Sequence, residues 1–340
     1  MKNSNTISIL ILGAAILAVA GCSSGTTNTA VTTTTTGATS AYVSNQTPAG
    51  GSQPTPQIVG FSATSSSSAS TSTVNGPSND TFIGAATDTS GNLYTIDKST
   101  AGSTSYTVNE YAAATNSTGT TASTVMRSFT STAINAAPVG LTVDGSGNIY
   151  VMLTGGTVLR FAAASTGAVS PAATLTGIAS AMAVDQSGNL YVTVPVSLID
   201  NHHAIAVYGS GYTSASAALR TILPATELHI TALAVDASGN IYATGKDDSN
   251  NVQVAVYAAA ATGTSTATRV ITGATTTLVS PWQVQVDSAG SIFVGDSNTG
   301  STGGTVILRK FAAAATGNIA PSLTISTALT FAATTAMAIH

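Results

Sequence analysis

Three of the four histidines in this chain fall between residues 202 and 229. His202 and His203 follow Asp200 and Asn201, and His229 follows Glu227 and Leu228. Two or three imidazoles beside a carboxylate are the ligand set of a zinc-type metal site. They also suit a general base with its orienting partner. No Cys pair and no helical spacing fixes these groups relative to one another, so the fold has to bring them together. Four further acids, Asp97, Asp247, Asp248 and Asp296, follow strand-like segments and offer carboxylates for a cation or a basic ligand. Trp282, Gln283 and Gln285 suit either a stacking and hydrogen-bonding ligand surface or a hydrogen-bonded core. No Ser-His-Asp order, phosphate loop or paired-carboxylate motif is present. The residues therefore favour binding over catalysis.

The elements that must position these groups are written five times. The copies run Asp88 to Tyr94, Asp144 to Tyr150, Asp185 to Tyr191, Asp236 to Tyr242 and Asp287 to Phe293, with Asp-to-Asp spacings of 56, 41, 51 and 51. Each aspartate opens a tight turn carrying a glycine: Gly91, Gly147, Gly188, Gly239 and Gly290. A carboxylate there accepts backbone N–H groups across a hairpin, and glycine takes the left-handed position. One carboxylate per turn is too few for calcium, so these residues read as structural. Ahead of the aspartate, large residues alternate with small ones, as in Ala232-Leu233-Ala234-Val235. This is a period-two strand that is apolar on both faces. Large side chains on one face opposite small ones on the next let stacked sheets interdigitate.

Each copy continues through a second strand after the turn and a third strand ending in Tyr or Phe. An Ala-rich or Gly-rich turn and a fourth strand complete it. Four antiparallel strands in a repeat of about forty to fifty residues make a propeller blade. The chain ends on Ala336-Met337-Ala338-Ile339-His340, a lone first strand with His in the Asp slot. Residues 41–43, 57–61 and 72–76 supply a second, third and fourth strand that lack a first. The expectation is an all-β, six-bladed β-propeller whose last blade is closed by both ends of the chain, with five blades as the alternative. In that topology the second-to-third and fourth-to-first loops share one face. Asp97, Asp200, Asp247, Asp248, Asp296, Glu227 and His229 would gather there.

The pattern Ala-Val-Asp-x-Ser-Gly-Asn-Leu/Ile-Tyr, followed by a Val-Tyr strand, resembles the NHL-type repeats of bacterial secreted and lipid-anchored propellers. The likeness covers residues 41–340 and is weakest at Asp287-Ser288-Ala289-Gly290-Ser291 and at the short loop after Tyr150. It implies a scaffold that serves binders, lyases and lactonases alike. At the N-terminus, Lys2 and an apolar run from Ile7 to Ala20 read as a signal segment over 1–21. Val19-Ala20-Gly21-Cys22 resembles a bacterial lipobox, which implies lipidation of Cys22, the single cysteine. Several acyl chains at about 0.8 kcal/mol per methylene give a stable anchor. Residues 22–40, rich in Thr, Ser, Ala and Gly, read as a tether reaching on the order of 25 Å.

Only 6% of residues are charged and the net charge is −4, with no basic stripe, which excludes nucleic acid as a partner. The expected location is the bacterial cell envelope, outside the cytoplasm, on the outer membrane where there is one. The expected role is a binding or scaffold module for an envelope protein, a peptide or a glycan. No cofactor is expected, unless the His202, His203, Glu227, His229 and Asp200 group holds a divalent metal. The alternatives are a hydrolase or lyase built on that group, or a structural adhesion protein.

Overall fold

The computed structural model describes residues 40–45, 57–67, 70–75, 81–98, 105–112, 125–178, 180–196, 202–299, 304–330 and 336–340. They form six sheets built on four antiparallel strands each, and among them the only helix is one 3-10 turn, Ala274–Thr276. The signal segment, Cys22, the tether up to residue 39 and Asp200 lie outside the described residues, and Ser40 already belongs to a strand.

Blade one joins the two ends of the chain. Its inner strand, Met337–Ile339, pairs with Ser40–Asn45, which continues to Gln57–Ser62 and Ser70–Asn75. The other five blades begin with inner strands Thr81–Thr87, Pro138–Val143, Met182–Val184, His229–Val235 and Pro281–Val286. Each inner strand contacts the next and the sixth contacts the first, so the ring is closed. At the join, His340 and Ser40 exchange backbone N–H to carbonyl bonds of 2.9 and 2.8 Å where other blades turn a hairpin. The six-bladed expectation holds, and the five-bladed alternative is excluded.

The alternation of large and small residues explains why the blades stack. Six apolar clusters sit one at each blade interface. In blade five, Leu233 and Val235 face blade four, where they meet Ala181 and Ala183. Ala232 and Ala234 face blade six and receive Val284 and Val286. Large residues thus rest on the small face of the preceding blade at the four interfaces from blade two to blade six, and apolar burial of this kind supplies the main stabilisation. Gly84 takes a small position at its limit. A Cβ there would lie 2.9 Å from Leu141 Cβ of the next blade.

Two features escape the repeat pattern. Four inner strands carry a β-bulge at the same place, five residues before the turn aspartate: Ile83, Val139, Thr231 and Trp282. A bulge turns one residue out of the alternation and bends the strand, here at the mouth of the central channel. Secondly, outer edges are covered by the next blade. Gly167–Ala168 pairs in parallel with Val125–Thr130, and Gly263–Ser265 with Arg220–Pro224. Unpaired edge groups are thereby satisfied.

Candidate functional site

The turn aspartates are occupied by their own hairpins. Asp144 Oδ1 accepts the N–H groups of Ser146 and Asn148, both at 2.9 Å. Its Oδ2 accepts Asn148 Nδ2 at 2.8 Å and Tyr150 Oη at 3.0 Å. Asp88 and Asp236 hold the same set, and Asp185 the bonds from Asn189 and Tyr191. In blade six, Ser291 and Phe293 replace the Asn and Tyr donors, and Lys310 Nζ lies 3.7 Å from Asp287 Oδ2 instead. The glycines of all five turns have φ between +78 and +83°. A Cβ on Gly239 would sit 3.2 Å from Ala259 Cβ, so the recurrent Ala after the third strand abuts the turn glycine.

A sixth copy of this turn hides in Asp247-Asp248-Ser249-Asn250-Asn251. Asp247 Oδ1 accepts Asn251 N–H at 2.8 Å, its Oδ2 accepts Asn251 Nδ2 at 3.0 Å, and Asn250 takes the left-handed place with φ 62°. Asp247 is therefore corrected from a ligand-facing acid to a turn residue. Its neighbour Asp248, at the free second position, projects outward with 54% of its side chain exposed.

Asp97 and Asp296 are corrected as well. Both lie inside second strands, Leu93–Lys98 and Ile292–Ser297, and both are fully buried. Asn109 Nδ2 donates to Asp97 at 2.6 Å. Asp296 accepts Arg309 Nε at 3.0 Å and the N–H groups of Val279 and Ser280. A buried carboxylate needs such partners. The strands run one turn of pleat further than the sequence suggests, which carries both acids out of the loops.

Gln283 and Gln285 are directed at the closing strand rather than at a ligand. Gln283 donates to Met337 O at 2.7 Å and accepts Met337 N–H at 2.8 Å, and Gln285 Nε2 lies 3.4 Å from the same carbonyl. Trp282, at the bulge, packs over Gly295, where a Cβ would lie 2.6 Å from its ring, and against the cluster between blades six and one. All three also line a channel cavity of about 240 Å³ bounded by the inner strands of blades two to six.

The histidine group does converge on one face, between blades four and five. His202 precedes the third strand of blade four, His203–Tyr208. Glu227 lies in the connection to blade five, and His229 starts that blade's inner strand. His202 Nε2 is 2.8 Å from Asp248 Oδ1, and His229 Nε2 is 3.4 Å from the same oxygen. His202 Nδ1 is 3.4 Å from Glu227 Oε2. The imidazole centroids are 4.9 Å apart in an edge-on arrangement. Hydrogen bonding by Glu227, then by His202, holds the Asp248 carboxyl below the ordinary carboxylate range.

His203 is corrected out of this group. Adjacent residues at a strand start point to opposite sides, and its ring is buried, with Nδ1 accepting Ile230 N–H at 3.1 Å. Burial pushes its pKa down, so it remains a neutral acceptor. It acts as a clamp, together with its own N–H to Leu228 O at 3.4 Å, holding the backbone of His202 against that of His229. Gly245 allows the second strand of blade five equally close. A Cβ there would meet His229 O at 2.2 Å. His229 also lines a cavity of about 210 Å³ with Thr231, Lys246, Asn250, Ser280 and Pro281. Two imidazoles and a carboxylate on fixed backbone are suited to a metal ion or to proton transfer.

No family model matches the sequence, and no curated protein matches it. Among solved structures, the chain is similar to the WD40 domain of coronin from Toxoplasma gondii. The TM-score is 0.50 at 11% identity, over 84% of this chain and 68% of that one. The likeness is one of fold, a β-propeller; the six blades are those of this chain's own sheets.

Proposed function

We propose that this chain is a lipid-anchored binding or scaffold propeller of the bacterial cell envelope, held by Cys22. Its ligand face is the loop surface between blades four and five, and its ligand is an envelope protein, a peptide or a glycan. The observation that carries this reading is the meeting of His202, Glu227, His229 and Asp248. Three separate loops of two blades deliver two half-buried imidazoles and two exposed carboxylates to one place. The other acids singled out in the described loops and turns serve the fold itself. The lipobox-like Val19-Ala20-Gly21-Cys22 and the NHL-like turns support the anchor and the bacterial setting. A hydrolase or lyase is the second reading, favoured by the His202–Asp248 contact of 2.8 Å, the geometry of a base and its orienting carboxylate.

The test places a photo-crosslinking residue at position 248, or at position 237 in a hairpin on the opposite face, in the full chain on its native membrane. A discrete adduct from 248 and none from 237 is expected. Equal labelling from both positions would remove the loop face from consideration. Labelling with radioactive palmitate, abolished by Cys22→Ser, checks the anchor separately.

A further inference from the structure

We infer that His202, His229 and Asp248 form a site for one divalent metal ion of the zinc class, with Glu227 as the carboxylate that orients His202. The inference deepens the reading of the loop face between blades four and five as the ligand face, and rests on it.

The distances already approach a coordination shell. One ligand atom from each of the three residues lies within 4.8 Å of the other two. Tetrahedral zinc, with bonds of about 2.0–2.2 Å, sets its ligand atoms roughly 3.3 Å apart. The contacts of 2.8 and 3.4 Å to Asp248 Oδ1 bracket that spacing. Closing the group around an ion brings ligand atoms that already lie within 4.8 Å of one another to that spacing.

The donor set selects the metal. Imidazole nitrogen suits zinc, nickel, cobalt and iron(II), whereas calcium and magnesium ask for six or more oxygens. Glu227 supplies the outer contact such sites use. Its Oε2 faces His202 Nδ1 at 3.4 Å, which leaves Nε2 on the side of Asp248. A carboxylate behind a ligating imidazole fixes its tautomer and raises its basicity. The supports are also built in. His203 clamps the two histidine-bearing segments, the Asp247 turn fixes the base of Asp248, and the bulge at Thr231 bends the strand just beyond His229.

Three protein ligands leave a coordination position for a ligand atom. His229 borders the cavity of about 210 Å³ that Lys246 also lines. An anionic oxygen donor, such as a carboxylate on a peptide or a glycan, fits that setting. The ion would also staple blade four, through His202, to blade five, through His229 and Asp248.

The experiment uses the full chain, dialysed against a chelator and titrated with zinc alone by calorimetry. One zinc per chain is expected, with a melting temperature that rises on saturation. His229→Ala and the exposed Asp248→Asn should each weaken binding by roughly 100-fold or more. Glu227→Gln should weaken it roughly 10-fold to 100-fold at unchanged stoichiometry and unchanged metal-free melting temperature. Should a histidine variant fail to fold, the unaltered chain still decides. Zinc must protect His229 from diethyl pyrocarbonate while the exposed His340 stays reactive. Absence of saturable binding, undiminished binding in both His229→Ala and Asp248→Asn, or no protection of His229 overturns the site. Because zinc is the sole probe, and the crosslinking above is repeated in chelator, loss of the metal site and loss of the binding-module reading are separate results.

Discussion

Asp144 holds four donors on one buried carboxylate: two backbone N–H groups, an amide and a phenol. Removing it leaves those donors short of a partner in a place water reaches poorly, the costly direction of hydrogen-bond loss. Asp144→Ala should therefore destabilise the protein by about 3 kcal/mol. Asp287→Ala should cost clearly less, because Ser291 and Phe293 give its Oδ2 no amide or phenol. Urea midpoints at constant m-value measure both, and equal losses would sink the idea. The sequence makes half of this legible. A repeated Asp followed three residues later by Gly states a hairpin. The Asn and Tyr look like filler and core, because their donor atoms meet the carboxylate only once the turn has closed. Two further features are legible in the sequence. Asp247-Asp248-Ser249-Asn250-Asn251 is the same turn with Asn in the glycine place, and period-two alternation already forbids His202 and His203 from serving one site.

Gln283 is where a strand is fastened by a side chain. It both donates to and accepts from the backbone of Met337, the first residue of the closing strand, 54 positions away. Gln283→Ala strips two hydrogen bonds from a buried backbone, a loss of about 2 kcal/mol. Gln285→Ala gives up one bond of 3.4 Å and should cost a fraction of that. Amide exchange separates the two. Gln283→Ala should open Met337 to Ile339 ahead of the other inner strands, and uniform exchange across all six would contradict the fastening. The sequence leaves Gln283 open between ligand contact and hydrogen-bonded core. Its partner belongs to another blade and appears only when the ring is joined. The bulges are illegible for a different reason. One residue inserted at a strand start leaves the alternation beyond it intact, so nothing in the sequence marks Trp282 or Thr231 as a bulge although each is turned out of register.

The ring as a whole depends on phenols that keep their protons. Tyr94, Tyr150, Tyr191 and Tyr242 carry the turns of blades two to five, and burial first, then the neighbouring carboxylates, raises each above the ordinary tyrosine value. Burial alone pushes Tyr257 up to about 12, and it pushes Tyr212 up to about 12 against the pull of Arg160. In the unfolded chain all of these titrate near 10. Between about pH 10 and 12 the native state consequently binds more protons than the unfolded one, and stability falls as pH rises. Each phenol that stays protonated removes about 1.4 kcal/mol per pH unit in that window. The affected groups sit in four consecutive blades that share apolar interfaces, so the loss acts on one cooperative body and not on a single loop. Alkaline unfolding should begin just above pH 10 in one transition, with phenolate absorbance near 295 nm rising together with the loss of strand signal. Tyr257→Phe, which removes one such proton while keeping the ring, should flatten the slope. Phenolate absorbance that climbs at pH 10 while the strand signal persists would mean that these tyrosines ionise in the folded ring, and the packing described for them would be wrong.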